Sequence, residues 1–245
     1  MKTKILLFIQ ATCACLTSAP AQVSTVVGID ASSAYIFHGM TYNRGFVLQP
    51  YLNITGKHFG YLLWSNYNLQ SDENGLGYFP ASEFTEIDHF ISWYMPVAFA
   101  DFDITLGIYN YPMIGWESDK ELQLGGQKTL FDSWFTPFAR GGVMFDGSMT
   151  RNVYVEFGTK AEKALSPKFT VNYLLKASWE YQGFLPDKPS GMKDLLLTAG
   201  LTYFPIEATG LSLKANYAGQ LDKKVLSDEL YDVGFFVSLG IFRVF

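Results

Sequence analysis

Apolar and polar residues alternate along most of this chain, most cleanly over residues 169–182. The apolar, largely aromatic positions are Phe169, Val171, Tyr173, Leu175, Ala177, Trp179 and Tyr181, and the intervening ones are Thr170, Asn172, Leu174, Lys176, Ser178, Glu180 and Gln182. A period of two is that of a β-strand, because successive side chains leave a pleated backbone on opposite sides. A run about twice the usual strand length is typical of a strand with one face in lipid and the other in a polar lumen.

The same alternation predicts about twelve strands, an even number as expected for a single-chain outer-membrane barrel. They fall near 23–37, 45–55, 58–69, 83–95, 98–110, 120–130, 134–144, 151–162, 167–182, 192–204, 208–220 and 230–245. Longer connections alternate with shorter ones, which is typical of the extracellular and periplasmic sides. The sequence therefore predicts an all-β protein, a closed antiparallel up-and-down transmembrane β-barrel.

The N-terminal residues have the order of an export signal. Two lysines, an apolar run and a small-residue triplet follow one another: Lys2, Lys4, Ile5–Ile9 and Ala19-Pro20-Ala21. This order predicts a cleaved signal peptide over residues 1–21 and a barrel domain over residues 22–245. A membrane anchor would need about 20 apolar residues, and polar residues interrupt this run too early. The predicted location is the bacterial outer membrane.

The final segment alternates down to a C-terminal aromatic residue. Val237, Leu239, Ile241 and Phe245 carry the apolar side of this alternation. An apolar alternating strand that ends in an aromatic residue is similar to the signal recognised by the barrel-assembly machinery. We therefore expect that machinery to be a partner, together with the lipid of the outer membrane.

Aromatic residues are concentrated at the predicted strand ends. They include Tyr35 and Phe37, Trp93 and Tyr94, Tyr109 and Tyr111, Trp134 and Phe135, Trp179 and Tyr181, and Tyr203 and Phe204. Such positions predict the two aromatic girdles that face the membrane–water interfaces of a barrel.

Charge and cysteine content exclude several classes of function. Removal of Lys2 and Lys4 with the signal peptide takes the formal net charge from −5 to about −7. An acidic balance without a basic cluster argues against a nucleic-acid partner. Cys13 and Cys15 both lie in the signal segment, so the mature barrel has no cysteine for a disulfide, a metal site or a nucleophile.

Two segments carry a family resemblance. Ser33-Ala34-Tyr35-Ile36-Phe37-His38-Gly39 followed by Val47-Leu48-Gln49-Pro50 resembles the opening hairpin of uncharacterised bacterial outer-membrane proteins grouped as TorF-type putative porins. Residues 64–66 and 83–88 resemble that family's third and fourth strands. His38 stands where the family usually has arginine. The resemblance implies the fold and the location more than any chemistry.

Charged residues on the polar faces are candidates for the lumen wall. Glu86 and Asp88 share one face by alternation, and we expect that face to be the lumen. The full set of lumen-lining candidates is His38, Glu86, Asp88, Asp101, Asp103, Glu121, Lys128, Glu156, Lys176, Glu180 and Lys214. These charges either form a packed network that rigidifies the barrel or line a water path. Twelve strands lie between filled eight-stranded barrels and open porins of about 16–18 strands.

Catalytic and metal-binding motifs are weak. The three histidines are His38, His58 and His89, and Ser92 faces away from His89 by alternation. No G-x-S-x-G motif occurs. Residues 71–75 offer oxygen ligands for calcium without the spacing of an EF-hand, and a solvated loop explains them equally well. We expect no enzyme activity, no cofactor and no metal.

The sequence therefore predicts a narrow porin-like channel for small hydrophilic solutes, with an acidic lumen that favours cations. The alternative is a non-conducting barrel with a structural role, or one that binds a surface partner through its extracellular loops.

Overall fold

The computed structural model describes residues 23–131, 134–147, 152–181 and 189–245. The predicted signal peptide, residues 1–21, lies outside the described residues and stays a prediction. The described strands are β1 (Ser24–Ser32), β2 (Tyr35–Phe37), β3 (Met40–Asn43), β4 (Val47–Thr55), β5 (Phe59–Asn68), β6 (Asp72–Asn74), β7 (Gly77–Phe79), β8 (Glu83–Val97), β9 (Ala100–Asn110), β10 (Asp119–Gln127), β11 (Thr136–Asp146), β12 (Val153–Ser166), β13 (Phe169–Tyr181), β14 (Gly191–Ile206), β15 (Thr209–Gln220) and β16 (Phe235–Val244).

Twelve of these strands form one closed antiparallel barrel, which confirms the predicted fold class. The order around the barrel is β1, β4, β5, β8, β9, β10, β11, β12, β13, β14, β15 and β16. β1 closes the ring, since Asp30 faces Gln49 of β4 on one side and Gly240 of β16 on the other. No helix in the described ranges is long and apolar enough to cross a membrane.

The two ends of the barrel differ in their connections. We call one end the loop end, because it carries the long connections 33–46, 69–82, 111–118 and 221–234. The other is the turn end, with the short connections 56–58, 98–99, 167–168 and 207–208 and one longer connection between β10 and β11. This asymmetry is that of outer-membrane barrels, in which the long loops are extracellular.

The strands have the predicted apolar outer face and polar inner face. On β13, Leu175 is 41% exposed on the outside, whereas Ser178 and Glu180 are buried inside. On β16, Leu239 is 60% exposed outside and Ser238 is buried inside. A closed sheet with an apolar exterior and a polar interior satisfies its backbone hydrogen bonds within lipid. The protein is therefore a transmembrane barrel of the outer-membrane type, and the predicted location in the outer membrane is confirmed.

Two strand bounds were predicted wrongly. The first strand ends at Ser32 rather than at residue 37. The Ser33 amide donates to the Val237 carbonyl and the Val237 amide donates to the Ser33 hydroxyl, and after these bonds the chain turns inward. The last strand begins at Phe235 rather than at residue 230. Residues 230–234 belong to a loop that covers the inward segment, so their alternation is not that of a membrane strand.

The aromatic girdle prediction holds only in part. At the turn end, the predicted girdle residues Trp93 and Trp134 are 50% and 47% exposed. By contrast, Tyr35, Tyr109 and Tyr111 are buried, at 5%, 1% and 4% exposure, and pack inside the loop end of the barrel. Alternation alone placed these rings at the strand ends but did not distinguish lipid from lumen contacts.

The outer face allows a prediction of how the cost of a basic side chain depends on its depth in the membrane. Leu197→Arg places a charge on the outer face in the middle of β14, where a basic side chain costs about 2–4 kcal/mol. Ile206→Arg places the same charge at the turn end, where the cost is about 0–1 kcal/mol. Denaturant unfolding of both variants in lipid vesicles measures the difference. Equal costs at the two positions would contradict the assigned membrane span.

Candidate functional site

The loop end of the lumen is filled by a short hairpin folded into the barrel. This inward hairpin spans residues 33–46 and contains β2 and β3. Its side chains Tyr35, Met40 and Tyr42 are each 5% exposed or less. They pack in one apolar cluster with Val47, Phe79, Leu226 and Leu230. Because these last residues come from the barrel wall and from two outer loops, the cluster closes the lumen at this end.

The tip of the inward hairpin rests against the far wall. His38 and Gly39 both have positive φ, at 49° and 74°. A Cβ atom on Gly39 would lie 2.5 Å from Cβ of Asp194, so this position accepts only glycine without a shift of β14. The His38 ring stacks on that of Tyr154 at 3.6 Å between ring centroids and a 4° interplanar angle. The tip is thereby fixed between β12 and β14.

Polar contacts hold the base of the inward hairpin. The Tyr35 hydroxyl donates to Glu86 Oε2 at 2.7 Å, and the Thr41 amide donates to the Leu230 carbonyl at 2.8 Å. Arg44 forms an ion pair of 2.6 Å with Asp72 and one of 3.1 Å with Asp232. Partial burial raises the pKa of the Asp72 carboxyl, but the hydrogen bonds from Arg44 outweigh this effect and leave the pKa below its usual value.

Several predicted lumen residues form buried pairs around the inward hairpin. Glu86, Asp88, Glu121 and Glu180 are each 3% exposed or less. Glu121 accepts hydrogen bonds from the Tyr109 hydroxyl at 2.6 Å and from Gln123 at 2.7 Å. Glu180 pairs with the buried amine of Lys193 at 2.8 Å. Glu86, Glu121 and Glu180 are packed and hydrogen-bonded, and Asp88 is buried with its Oδ1 unpaired within the described residues. In the loop half the lumen charges are therefore packed groups rather than the wall of an open water path.

A cavity of about 470 Å³ lies below the hairpin tip. Four charged residues of alternating sign stand side by side on one wall, and we call them the charge row: Asp103, Arg140, Glu156 and Lys176. Arg140 Nη2 lies 3.1 Å from Asp103 Oδ2, and Lys176 Nζ lies 2.5 Å from Glu156 Oε2. Asp103 and Arg140 meet across Gly125, where a Cβ would lie 2.4 Å from Asp103 Oδ1. The missing side chain on β10 therefore makes room for the pair.

A second cavity, of about 220 Å³, adjoins the first toward the turn end. Both cavities are lined by Arg140, Glu156 and Lys176. The charge row therefore lies where the two cavities adjoin, between the turn end of the barrel and the inward hairpin.

The remaining predicted site residues lie apart from this row. Lys214 pairs with Asp30 at 3.1 Å on another part of the wall. Asp101 is exposed at the turn end, and Lys128 follows the end of β10, where its amine donates to the Ala98 carbonyl at 3.0 Å. Of the predicted assembly residues, Leu239, Ile241 and Phe245 are 60%, 49% and 68% exposed, and Val237 lies on the same outer face of β16. Their role in assembly stays a prediction.

Sequence reasoning missed Arg140, Lys193 and Asp194. Arg140 was detectable, because it shares the inward face of β11 with Phe138 and Met144 by alternation. Lys193 and Asp194 are adjacent and yet both buried, at 1% and 2% exposure, because the pairing of β13 with β14 shifts register between Ala177 and Trp179. Alternation assigns adjacent residues to opposite faces, so it cannot predict a register shift that buries two adjacent residues.

In the described ranges, no group of three or more His, Cys, Asp or Glu side chains is arranged to hold a metal ion.

Comparisons with solved structures agree with the fold class. An outer membrane channel from Pseudomonas putida F1 superposes with a TM-score of 0.56 at 12% identity, over 93% of this chain and 97% of that one. The KdgM porin superposes with a TM-score of 0.55 at 8% identity, over 91% of this chain and 99% of that one. The NanC porin gives 0.54 at 8% identity, over 89% and 98%. No family model matches the sequence, and no curated protein matches it significantly.

The class that the fold defines is therefore the porin-like outer-membrane β-barrel. The likeness extends over 93% of this chain.

The buried hydroxyl of Tyr35 supplies a test of the anchored hairpin. Tyr35→Phe leaves the Glu86 carboxyl without this donor, and we expect a loss of about 1–3 kcal/mol in the free energy of unfolding. Tyr78→Phe is the matched control, since Tyr78 is 62% exposed and its change is expected to stay within about 0.5 kcal/mol. Denaturant unfolding in vesicles measures both. Equal effects would contradict the anchoring role of Tyr35.

His38 supplies a pH-dependent prediction. Burial, with the charges of Lys193 and Lys176, lowers the pKa of the His38 imidazole well below its usual value. The unfolded chain then binds a proton more readily than the folded one, so stability falls as the pH drops through about 6.5, by up to about 1.4 kcal/mol per pH unit.

The variant His38→Asn tests this dependence, because asparagine tolerates positive φ and does not titrate. Unfolding at about pH 7.5 and about pH 5.5, on either side of the histidine pKa, compares the two proteins. We expect the free energy of unfolding to fall more between these two pH values in the wild type than in the variant. Carboxylates such as Glu180 and Asp194 are present in both proteins, so equal losses would refute the role of His38.

Proposed function

We propose that this protein is a narrow porin-like channel for small hydrophilic solutes, with a preference for cations. The observation that carries the proposal is the pair of adjoining cavities, about 470 and 220 Å³, with the charge row where they meet. A polar space of this kind inside a closed barrel offers a solute a path through the membrane that lipid does not.

The preference for cations rests on the balance of inward-facing charges in the described residues. The acidic groups are Asp30, Glu86, Asp88, Asp103, Asp119, Glu121, Glu156, Glu180 and Asp194, against Arg140, Lys160, Lys176, Lys193 and Lys214. An excess of acidic groups gives the lumen a negative potential, which raises the local concentration of cations.

The inward hairpin sets the width of the proposed channel. It fills the loop half of the lumen, so the proposed channel is narrowest there. We infer that the protein conducts weakly and excludes large solutes. The TorF-type grouping, taken from residues 33–39 and 47–50, fits a porin of this kind and is part of the proposal.

The structural neighbours support the proposal only at the level of fold. The KdgM porin was also solved in complex with disordered oligogalacturonate, which is a property of that protein. At 8% identity, nothing about solutes transfers from it to this chain.

A non-conducting barrel is the second candidate, and one observation favours it. The apolar cluster of the inward hairpin closes the loop end, with Val47 and Leu226 fully buried. A barrel sealed in this way acts through its shape or through the outer surfaces of its loops.

Conductance separates the two candidates. We expect purified wild-type protein in a planar bilayer to give discrete current steps, with a reversal potential in a salt gradient that indicates cation preference. Glu156→Gln removes a charge from the path and is expected to lower the cation-to-anion permeability ratio by up to about fivefold, which corresponds to about 1 kcal/mol for a unit charge at about 4 Å in water.

The matched control is Glu207→Gln, which removes an exposed carboxylate from a turn and is expected to leave the ratio unchanged. A wild-type barrel that is folded but carries no current would refute the channel and support the non-conducting candidate. If the channel conducts but Glu156→Gln and Glu207→Gln change the permeability ratio equally, the role of the charge row in selectivity is refuted.

A further inference from the structure

The charge row borders the larger cavity through Arg140, Glu156 and Lys176. Its four groups alternate in sign across neighbouring strands, from Asp103 on β9 through Arg140 and Glu156 to Lys176 on β13. Arg140 and Glu156 are direct partners in the pairing of β11 with β12. A positive and a negative group therefore stand side by side at the centre of the row.

These groups remain accessible to a solute. The side chain of Arg140 is 39% exposed, and those of Glu156 and Lys176 are 18% exposed, all toward the cavity. Within the described residues, Arg140 uses only Nη2 in hydrogen bonds, both to Asp103. The other guanidinium nitrogens are left to a second carboxylate, which guanidinium groups bind in a planar, forked geometry.

Away from the row, the cavity lining combines aromatic rings with polar side chains. Phe37 at the hairpin tip, Phe90 on β8 and Phe236 on β16 all line the cavity. Phe37 and Phe90 both contact the Tyr109 ring, at 5.9 and 5.5 Å between ring centroids. The same space therefore presents paired opposite charges on one side and aromatic rings on the other.

We propose that this cavity binds a small zwitterion with an apolar substituent, which is the chemistry of a free α-amino acid with an apolar side chain. The carboxylate binds Arg140, the ammonium binds Glu156, and the apolar side chain packs against Phe37, Phe90 and Phe236. A simple cation or a simple anion would engage half of the row and leave the other half unmatched. The volume of about 470 Å³ is within the range of small-molecule sites.

This inference rests on the proposed channel function, because it names the solute class that the path accepts. Binding and conduction are nevertheless measured separately. Calorimetric titration of the full barrel in detergent detects binding without any current, and the planar bilayer detects interruption of current by the same compound.

The probe is L-phenylalanine, compared with phenethylamine, which lacks the carboxylate, and 3-phenylpropionate, which lacks the ammonium. We expect saturable binding of L-phenylalanine and at least about tenfold weaker binding of each analogue, because each analogue loses one charged hydrogen-bonding group. Glycine, which has no apolar substituent, is expected to bind weakly as well.

Arg140→Gln is the variant that tests the row, and we expect it to weaken L-phenylalanine binding by about tenfold, since it removes the charged partner of the carboxylate. Arg243→Gln, on the last strand near Phe245, is the matched control and should bind as the wild type does. If Arg140→Gln fails to fold, Arg140→Lys keeps the charge, loses the forked geometry and is expected to bind more weakly than the wild type.

Four outcomes are distinguishable. Binding of L-phenylalanine that needs both charges and Arg140 supports the inference. A barrel that conducts but binds no amino acid overturns the inference and leaves the channel intact. Phenethylamine binding as tightly as L-phenylalanine overturns the zwitterion site in favour of a cation site. Binding without conduction supports the site and overturns the channel.

Discussion

Closure of the sheet is the constraint on which the rest of this structure depends. In lipid, an open strand edge leaves backbone amides and carbonyls without partners, and each such group costs several kcal/mol. β1 removes both edges at once by pairing with β4 and β16. Once the ring is closed, every strand has one face toward lipid and one toward the lumen, so apolar and polar residues must alternate.

The interior then has to be filled by polar groups that satisfy one another. The polar groups of the lumen are satisfied in different ways in the loop half and the turn half. In the loop half, the inward hairpin supplies aromatic and aliphatic packing, with buried carboxylates such as Glu86 and Glu121 bonded by tyrosine hydroxyls. In the turn half, charges of opposite sign pair across the wall and leave an accessible space. The packed loop half therefore bounds, on one side, the cavity that lies in the turn half.

The inward hairpin also links the outer loops to the lumen. Arg44 joins its base to Asp72 and Asp232, which lie in two different loops. The Arg44–Asp232 pair is exposed and individually weak, whereas Asp72 is buried. Arg44 also donates to the Glu73 carbonyl, so one side chain holds several loop positions together. The loop end is therefore a connected layer that includes the hairpin bordering the candidate site.

The sequence by itself determined the barrel, its strand number, its apolar exterior and the inward direction of Glu86, Asp88 and Glu156, because strict alternation maps directly onto the two faces of a pleated strand. It did not determine that residues 33–46 leave the wall and enter the lumen, since Tyr35 and Phe37 alternate as a strand would. Nor did it place Arg140 beside Asp103 across Gly125, or bury both Lys193 and Asp194 at a register shift. These features depend on contacts between residues distant in the chain, which only the closed tertiary structure brings within reach.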